Sequence, residues 1–160
     1  MKNILIVAPH PDDELVGASL IISRLIDKKK IIIFFPTNGV ISKDSMWFWR
    51  KSNYQLILNT RIKEMKKVIK YLGIKKYYLQ NLPTRSLKSN IKKTFERIKK
   101  ILKLEKIDTI FCPAYEGGHQ DHDVCNFICS RFKYKYKIKE FAEYNFFKNK
   151  INSNEFIQKS

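Results

Sequence analysis

His10, His119 and His122 are all the histidines of this 160-residue chain, and they fall in two short acid-rich segments, Ala8-Pro-His-Pro-Asp-Asp-Glu14 and Glu116-Gly-Gly-His-Gln-Asp-His-Asp123. Imidazoles and a carboxylate suit a catalytic metal ion. Two nitrogens and one oxygen leave positions open for water and substrate, whereas a structural site is closed by four protein ligands. Zinc is the expected ion, although the same donors also suit non-haem iron(II). Water on such an ion would titrate at about 7 instead of 15.7, so hydroxide becomes available at neutral pH.

His10 and Asp13 are three apart at an expected loop-to-helix junction, so both can turn toward one point, and His122 can supply a third ligand from a neighbouring strand end. Asp12 then remains as general base, a role worth about 10²–10⁴ in rate. His119, one helical turn from His122, is placed to protonate a leaving group or to stabilise an oxyanion. Gly117 and Gly118 allow the close backbone approach that a crowded pocket needs. Singly, each residue has a plainer account: a lone histidine is usually a hydrogen-bonding residue, and acids favour a helix N-terminus. Their joint occurrence with ligand-like spacing in both segments favours a metal site.

The segments follow apolar runs, and those runs alternate with helical patterns in the manner of βα units. Strands are expected at Ile4–Ala8, Ile31–Phe35, Tyr77–Leu79, Asp108–Cys112 and Ile138–Tyr144. Helices are expected at Glu14–Asp27, Tyr54–Leu72 (stopped by Gly73), Ser89–Leu104 and His122–Phe132. The fold class is therefore α/β, a mainly parallel sheet flanked by helices, with ligands binding outside the carboxyl ends of the strands. One domain over 1–148 and a patternless tail over 149–160 are expected. Trp47-Phe-Trp49 lies in a loop that either packs back on the core or forms a lid over the pocket.

The formal charge of +17 could signal a polyanion, yet the lysines are scattered through helical stretches and no base-reading motif accompanies them. Solvated lysine faces, and only weak, salt-sensitive nucleic-acid binding without sequence preference, are expected. Three cysteines make no paired framework, which fits a reducing compartment. Cys125 and Cys129 should pack as small apolar residues, while Cys112 ends a strand beside the second segment and should bring its thiol close to the site. Acids interrupt the first apolar run too early for a signal peptide, and no run is long enough to span a membrane. A cytoplasmic protein is expected.

At Pro9-His-Pro-Asp-Asp-Glu14 and His119-Gln-Asp-His122 the chain resembles the PIG-L/LmbE-like N-deacetylase family. The resemblance also takes in Thr37-Asn-Gly39 and the Arg61-x-x-Glu64 helix, and covers about residues 1–130. It implies a Rossmann-like fold and a zinc-dependent hydrolase that removes acetyl from an N-acetylglucosamine-type amino sugar. Carried over, His10, Asp13 and His122 bind zinc, Asp12 is the base, His119 assists, and Arg61 and Asn38 help bind substrate. Two departures touch the motifs: Pro9 stands where Ala is usual, and Thr84 where relatives often carry Asp. A third is length, since 38 residues follow His122 in a chain of 160, fewer than is usual. A pocket wall is then expected from elsewhere, either Trp47 and Trp49 stacking on the sugar or a neighbouring subunit of a homo-oligomer. The alternatives are a polyanion-binding protein or a catalytically weak fragment with vestigial metal loops.

Overall fold

The computed structural model describes residues 3–147 and 149–157, so positions 1, 2 and 148 of the expected domain and 158–160 of the expected tail lie outside it. In β1 (Asn3–Val7), Leu5 and Val7 join the apolar cluster on one face of the sheet, and Ile4 and Ile6 the cluster on the other. A strand covered on both faces needs such a continuous apolar run. The chain continues through α1 (Asp13–Val16), α2 (Ser19–Leu25), β2 (Lys30–Thr37), α3 (Phe48–Lys51), α4 (Tyr54–Tyr71) and β3 (Lys76–Leu82). Then come α5 (Ile91–Leu104), β4 (Ile107–Pro113), α6 (Gln120–Ser130) and β5 (Lys137–Phe141).

These five strands form one parallel sheet in the order β3-β2-β1-β4-β5. Ile22 of α2 and Met65 and Ile69 of α4 pack on one face, and Ile98, Ile101 and Leu102 of α5 with Cys125 and Ile128 of α6 on the other. The architecture is the expected α/β one. Strand order reverses between β1 and β4, and at such a switch point a crevice opens outside the carboxyl ends of the strands. Both histidine segments leave the sheet there. Among the described residues no helix is long and apolar enough to cross a membrane.

The structure departs from the sequence expectations at several places. The helix expected over Glu14–Asp27 stops at Val16 and resumes at Ser19, and Gly17 in the break packs so close to Glu143 and Phe141 that a Cβ there would sit 2.5 Å from Glu143 Cγ and 2.5 Å from Phe141 Cδ2. The strand expected over Ile138–Tyr144 ends at Phe141, and Tyr144–Phe147 leaves the sheet as β6. β6 pairs antiparallel with β7 (Lys150–Ser153), inside the segment expected to be a patternless tail. Asn149, with φ 60°, takes the left-handed conformation that a tight hairpin requires. Cys112 does not approach the site: it is buried with Cys125 and Cys129 in the core beneath α5 and α6.

At the end of the sheet opposite the crevice, Glu105 collects Lys30 Nζ (3.1 Å), Lys76 Nζ (2.6 Å) and the Tyr78 hydroxyl on one buried carboxylate. Burial opposes its charge, but these donors outweigh burial and hold its pKa at about 2, below the ordinary 4.5. A depressed carboxylate contributes stability above its unfolded pKa and loses it as pH falls through its folded one. Glu105→Gln should therefore cost about 1–2 kcal/mol at neutral pH, a modest figure because both ammonium groups remain about half exposed. Denaturant melts of the two proteins should converge between about pH 4.5 and 2; a gap that persists at pH 2 would remove the ion-pair account.

Candidate metal centre

The first segment turns from β1 into α1 through Asp12, whose φ of 131° is rare for an L-residue. The turn is held on both sides. The His10 amide donates to Asp13 Oδ2 at 2.7 Å, and the Asp12 amide donates to Glu14 Oε2 at 2.8 Å. Strain of this kind persists where surrounding bonds over-determine it, commonly at functional sites. Glu14 is fully buried, which pushes its carboxyl up to about 7.

The second segment enters α6 two residues earlier than expected, so His122 lies in the first helical turn and His119 is its N-cap. His119 Nδ1 accepts the Asp121 amide at 3.1 Å. An accepting Nδ1 leaves the proton of neutral imidazole on Nε2. Burial, and then His10 and His122, hold the His119 pKa below its ordinary value. Gly118 is needed here as expected, since a Cβ would collide with the Tyr144 carbonyl oxygen.

The two segments converge on one point. His10 Nδ1 lies 3.2 Å from Asp13 Oδ2, His122 Nε2 lies 3.4 Å from the same oxygen, and the two nitrogens are 3.3 Å apart. Bonds of about 2.0–2.1 Å to a tetrahedral zinc would set neighbouring donors roughly 3.3 Å apart, so this triangle has the dimensions of three ligand corners. The outward nitrogens also face carboxylates: His10 Nε2 meets Asp121 Oδ2 at 3.0 Å, and His122 Nδ1 lies 3.3 Å from Glu143 Oε2. Such partners fix the tautomer and leave the inner lone pairs free.

The electrostatics favour a cation. Burial disfavours charge on His10, yet Asp121 and Asp13 overcome it and carry its pKa to about 9. Burial would likewise raise Asp13, but His10 and His122 hold it well below the usual carboxylate range. Glu143 is the converse case: its two oxygens are buried without a hydrogen-bond partner, the contact with His122 having ion-pair length but not hydrogen-bond alignment. Burial, then the charge of Asp13, pushes the Glu143 carboxyl up to about 10. A divalent ion at the triangle would offset this crowding of acids, and potential donor atoms of His10, His119 and His122, and of Asp13, His122 and Glu143, lie within 4.8 Å of one another, so the site fits a metal on both geometry and charge.

Around the triangle lies a cavity of about 250 Å³, lined by Asp12, Arg61, Thr84, His119, Glu143 and Tyr144 among others. Arg61 reaches Asp12 Oδ2 at 2.6 Å. Burial, then Asp13, raises the Asp12 pKa while Arg61 opposes them. A second cavity of about 570 Å³, lined largely by apolar side chains, shares Gly39 and Arg61 with the first. Trp47 lines the second cavity, and Trp49 lines neither. The two indoles stack on each other, exposed, and do not pack back on the core. Asn38 is buried away from both cavities, accepting the Val40 amide and donating to Asn81, so its place is in the loop's framework.

Three contributors escaped the sequence reading. Asp121 is fully buried, and besides His10 it accepts Thr84 Oγ1, the Arg85 amide (2.6 Å) and the Leu87 amide. It thereby draws the segment after β3 to the site. Glu143 and Tyr144 arrive from the end of β5, another strand-end acid of the kind that marked the first two segments. Asp121→Asn should weaken zinc affinity by about 10–100-fold without emptying the site, as measured by titration against a chelator. Unchanged affinity would show that His10 is oriented by something else.

A profile of the PIG-L family, described as GlcNAc-PI de-N-acetylase, matches residues 5–133. No curated protein sequence matches the chain. Among solved structures it is similar to the N,N'-diacetylchitobiose deacetylase from Pyrococcus horikoshii, at 27% identity and a TM-score of 0.66 over 81% of this chain and 48% of that one. A deacetylase of the teicoplanin biosynthetic pathway shares the fold at 12% identity and TM-score 0.73, over 88% of this chain and 64% of that one. So does the 4-carboxy-2-hydroxymuconate hydratase from Pseudomonas putida, at 14% identity and TM-score 0.65, over 82% and 55%. The chain spans about half to two thirds of the length of these relatives. A hydratase among them shows that the fold alone does not fix the reaction, which must be argued from the site.

Proposed function

The chain belongs to the PIG-L family, and from that premise we propose that it is a zinc-dependent hydrolase removing the acetyl group from an N-acetylglucosamine-type amino sugar. The observation that carries this reading is the 3.2–3.4 Å triangle of His10, Asp13 and His122 with Asp12 beside it on the cavity wall. Those three residues would hold the ion, with Asp121 and Glu143 behind the imidazoles. A bound divalent ion supplies a Lewis acid that polarises the amide carbonyl and lowers the pKa of water to about 7.

The remaining steps fall to the chain's own groups. Asp12 takes the proton of the attacking water on its carboxylate and is the group that can return it to the departing amine. Arg61 orients that carboxylate through Oδ2 and opposes the upward push that burial and Asp13 exert on its pKa. His119 donates its Nε2 proton in a hydrogen bond to the oxyanion that develops on the acetyl carbonyl. Its depressed pKa supports this role over that of a charged general acid. Tyr144 and Thr84 wall the cavity on two sides, and Trp47 borders the adjoining space into which an aglycone would extend.

Acetate release from N-acetylglucosaminyl substrates, measured on chelated protein with and without added zinc, tests the reading. Release that appears with zinc and disappears with chelator is expected. Protein that binds zinc tightly yet frees no acetate from any amino-sugar substrate would overturn the assignment and leave the loops vestigial.

A further inference from the structure

Trp47, Phe48 and Trp49 stand at 68%, 79% and 57% exposure on and beside the single turn of α3, joined by Leu56 at 67%. Three large aromatic side chains presented to solvent on and beside one turn, with Leu56 of α4 exposed as well, are more than the scattered single exposures of an ordinary surface. The element is anchored from below, where Met46 is buried with Val40 and Leu58. Its rings hold one another: the Trp47 and Trp49 indoles stack at 5.1 Å, and Phe48 meets Trp49 edge-on at 4.9 Å. Lys43, Arg50 and Lys51 flank it against one acid, Asp44.

Aromatic rings bordered by lysine and arginine are the composition that settles at a lipid headgroup boundary, the rings entering the interface and the cations meeting anionic lipid. We propose that the Trp47–Phe48–Trp49 element, with Lys43, Arg50 and Lys51, docks the protein on anionic membrane surfaces. Two other occupants fit less well. Single-stranded nucleic acid stacks its bases on successive open rings, and here Trp47 and Trp49 already stack on each other through one face apiece. A second copy would have to approach against the repulsion of a chain carrying +17.

Trp47 also borders the apolar 570 Å³ cavity, with Met46, Leu56 and Ile57, and that cavity shares Gly39 and Arg61 with the cavity at the candidate metal centre. The docking does not depend on which reaction the site performs.

The chain has two tryptophans, both in this element, so its indole fluorescence reports here alone. The experiment titrates the protein with vesicles of phosphatidylcholine mixed with phosphatidylserine, and with phosphatidylcholine alone. A blue-shifted emission with the anionic vesicles, quenched by brominated lipid and weakening as salt rises, is expected. Phe48→Ser, which keeps both reporters, should lower the partition coefficient about tenfold, and the pair Arg50→Glu with Lys51→Glu should abolish the preference for anionic vesicles. The pair Lys100→Glu with Lys103→Glu, on α5 across the sheet, should leave binding nearly unchanged; circular dichroism and melting confirm that each variant folds. Emission indifferent to anionic vesicles would overturn the proposal. So would an equal loss from the α5 pair, which would mean general polycation adsorption, or a blue shift that grows with protein concentration without lipid, which would mean that a second copy covers the patch.

Discussion

Purified His122→Ala protein is expected to hold no tightly bound divalent ion and to lose roughly 10³-fold or more of its acetate-releasing rate. Three donor atoms meet at separations of 3.2–3.4 Å, and Nε2 of His122 is one corner of that triangle. The substitution also removes the imidazole that lies 3.3 Å from Glu143 Oε2, leaving that buried carboxyl against Asp13. Metal analysis by mass spectrometry, on protein purified without chelator, is the direct check. One equivalent of tightly held zinc retained by the variant would remove His122 from the ligand set. A second readout is thermal: zinc should raise the melting temperature of the parent protein and leave the variant's unmoved, since only a native-state ligand stabilises by mass action.

Asp12→Asn is expected to keep the ion and lose about 10²–10⁴-fold in rate, because the amide matches the carboxylate in shape and cannot accept the water's proton. The substitution should be tolerated by the fold. Asparagine is among the few residues that enter positive φ readily, and position 12 sits at φ 131°. The bond to Arg61 changes from an ion pair to an ordinary hydrogen bond at best, so Arg61→Ala should share part of the same loss through misplacement of Asp12. If Asp12→Asn emptied the site of metal while Asp13→Asn did not, the two acids would exchange roles.

The parallel sheet was legible because apolar runs of strand length alternate with amphipathic stretches, and each buried run of β1, β2 and β4 is a chemical necessity of being covered on both faces. The meeting of His10 with His122 could be anticipated on the same ground: both leave strands that become neighbours. What stayed hidden depended on contacts that no local pattern announces. Asp121 looks like any acid in the first turn of a helix until Thr84, Arg85 and Leu87 are seen to converge on it. The need for glycine at position 17 comes from Phe141 and Glu143, more than a hundred positions later in the chain. The aromatic triplet read equally well as a lid or as core packing, since period alone does not say which way a loop faces.

The bond between His10 and Asp121 joins positions 111 apart, His122 meets His10 across 112, and Glu143 and Tyr144 come later still. During synthesis the first ligand loop leaves the ribosome long before anything exists for it to meet, and contacts of such separation form late because loop closure must precede them. An ion bound at the proposed ligands would therefore recognise only a chain whose central strands are already aligned. On the metal-centre reading proposed above, ion uptake would certify completed folding, and ion supply would act on the protein's lifetime, because molecules without the ion would lack its mass-action stabilisation and open more often to proteases.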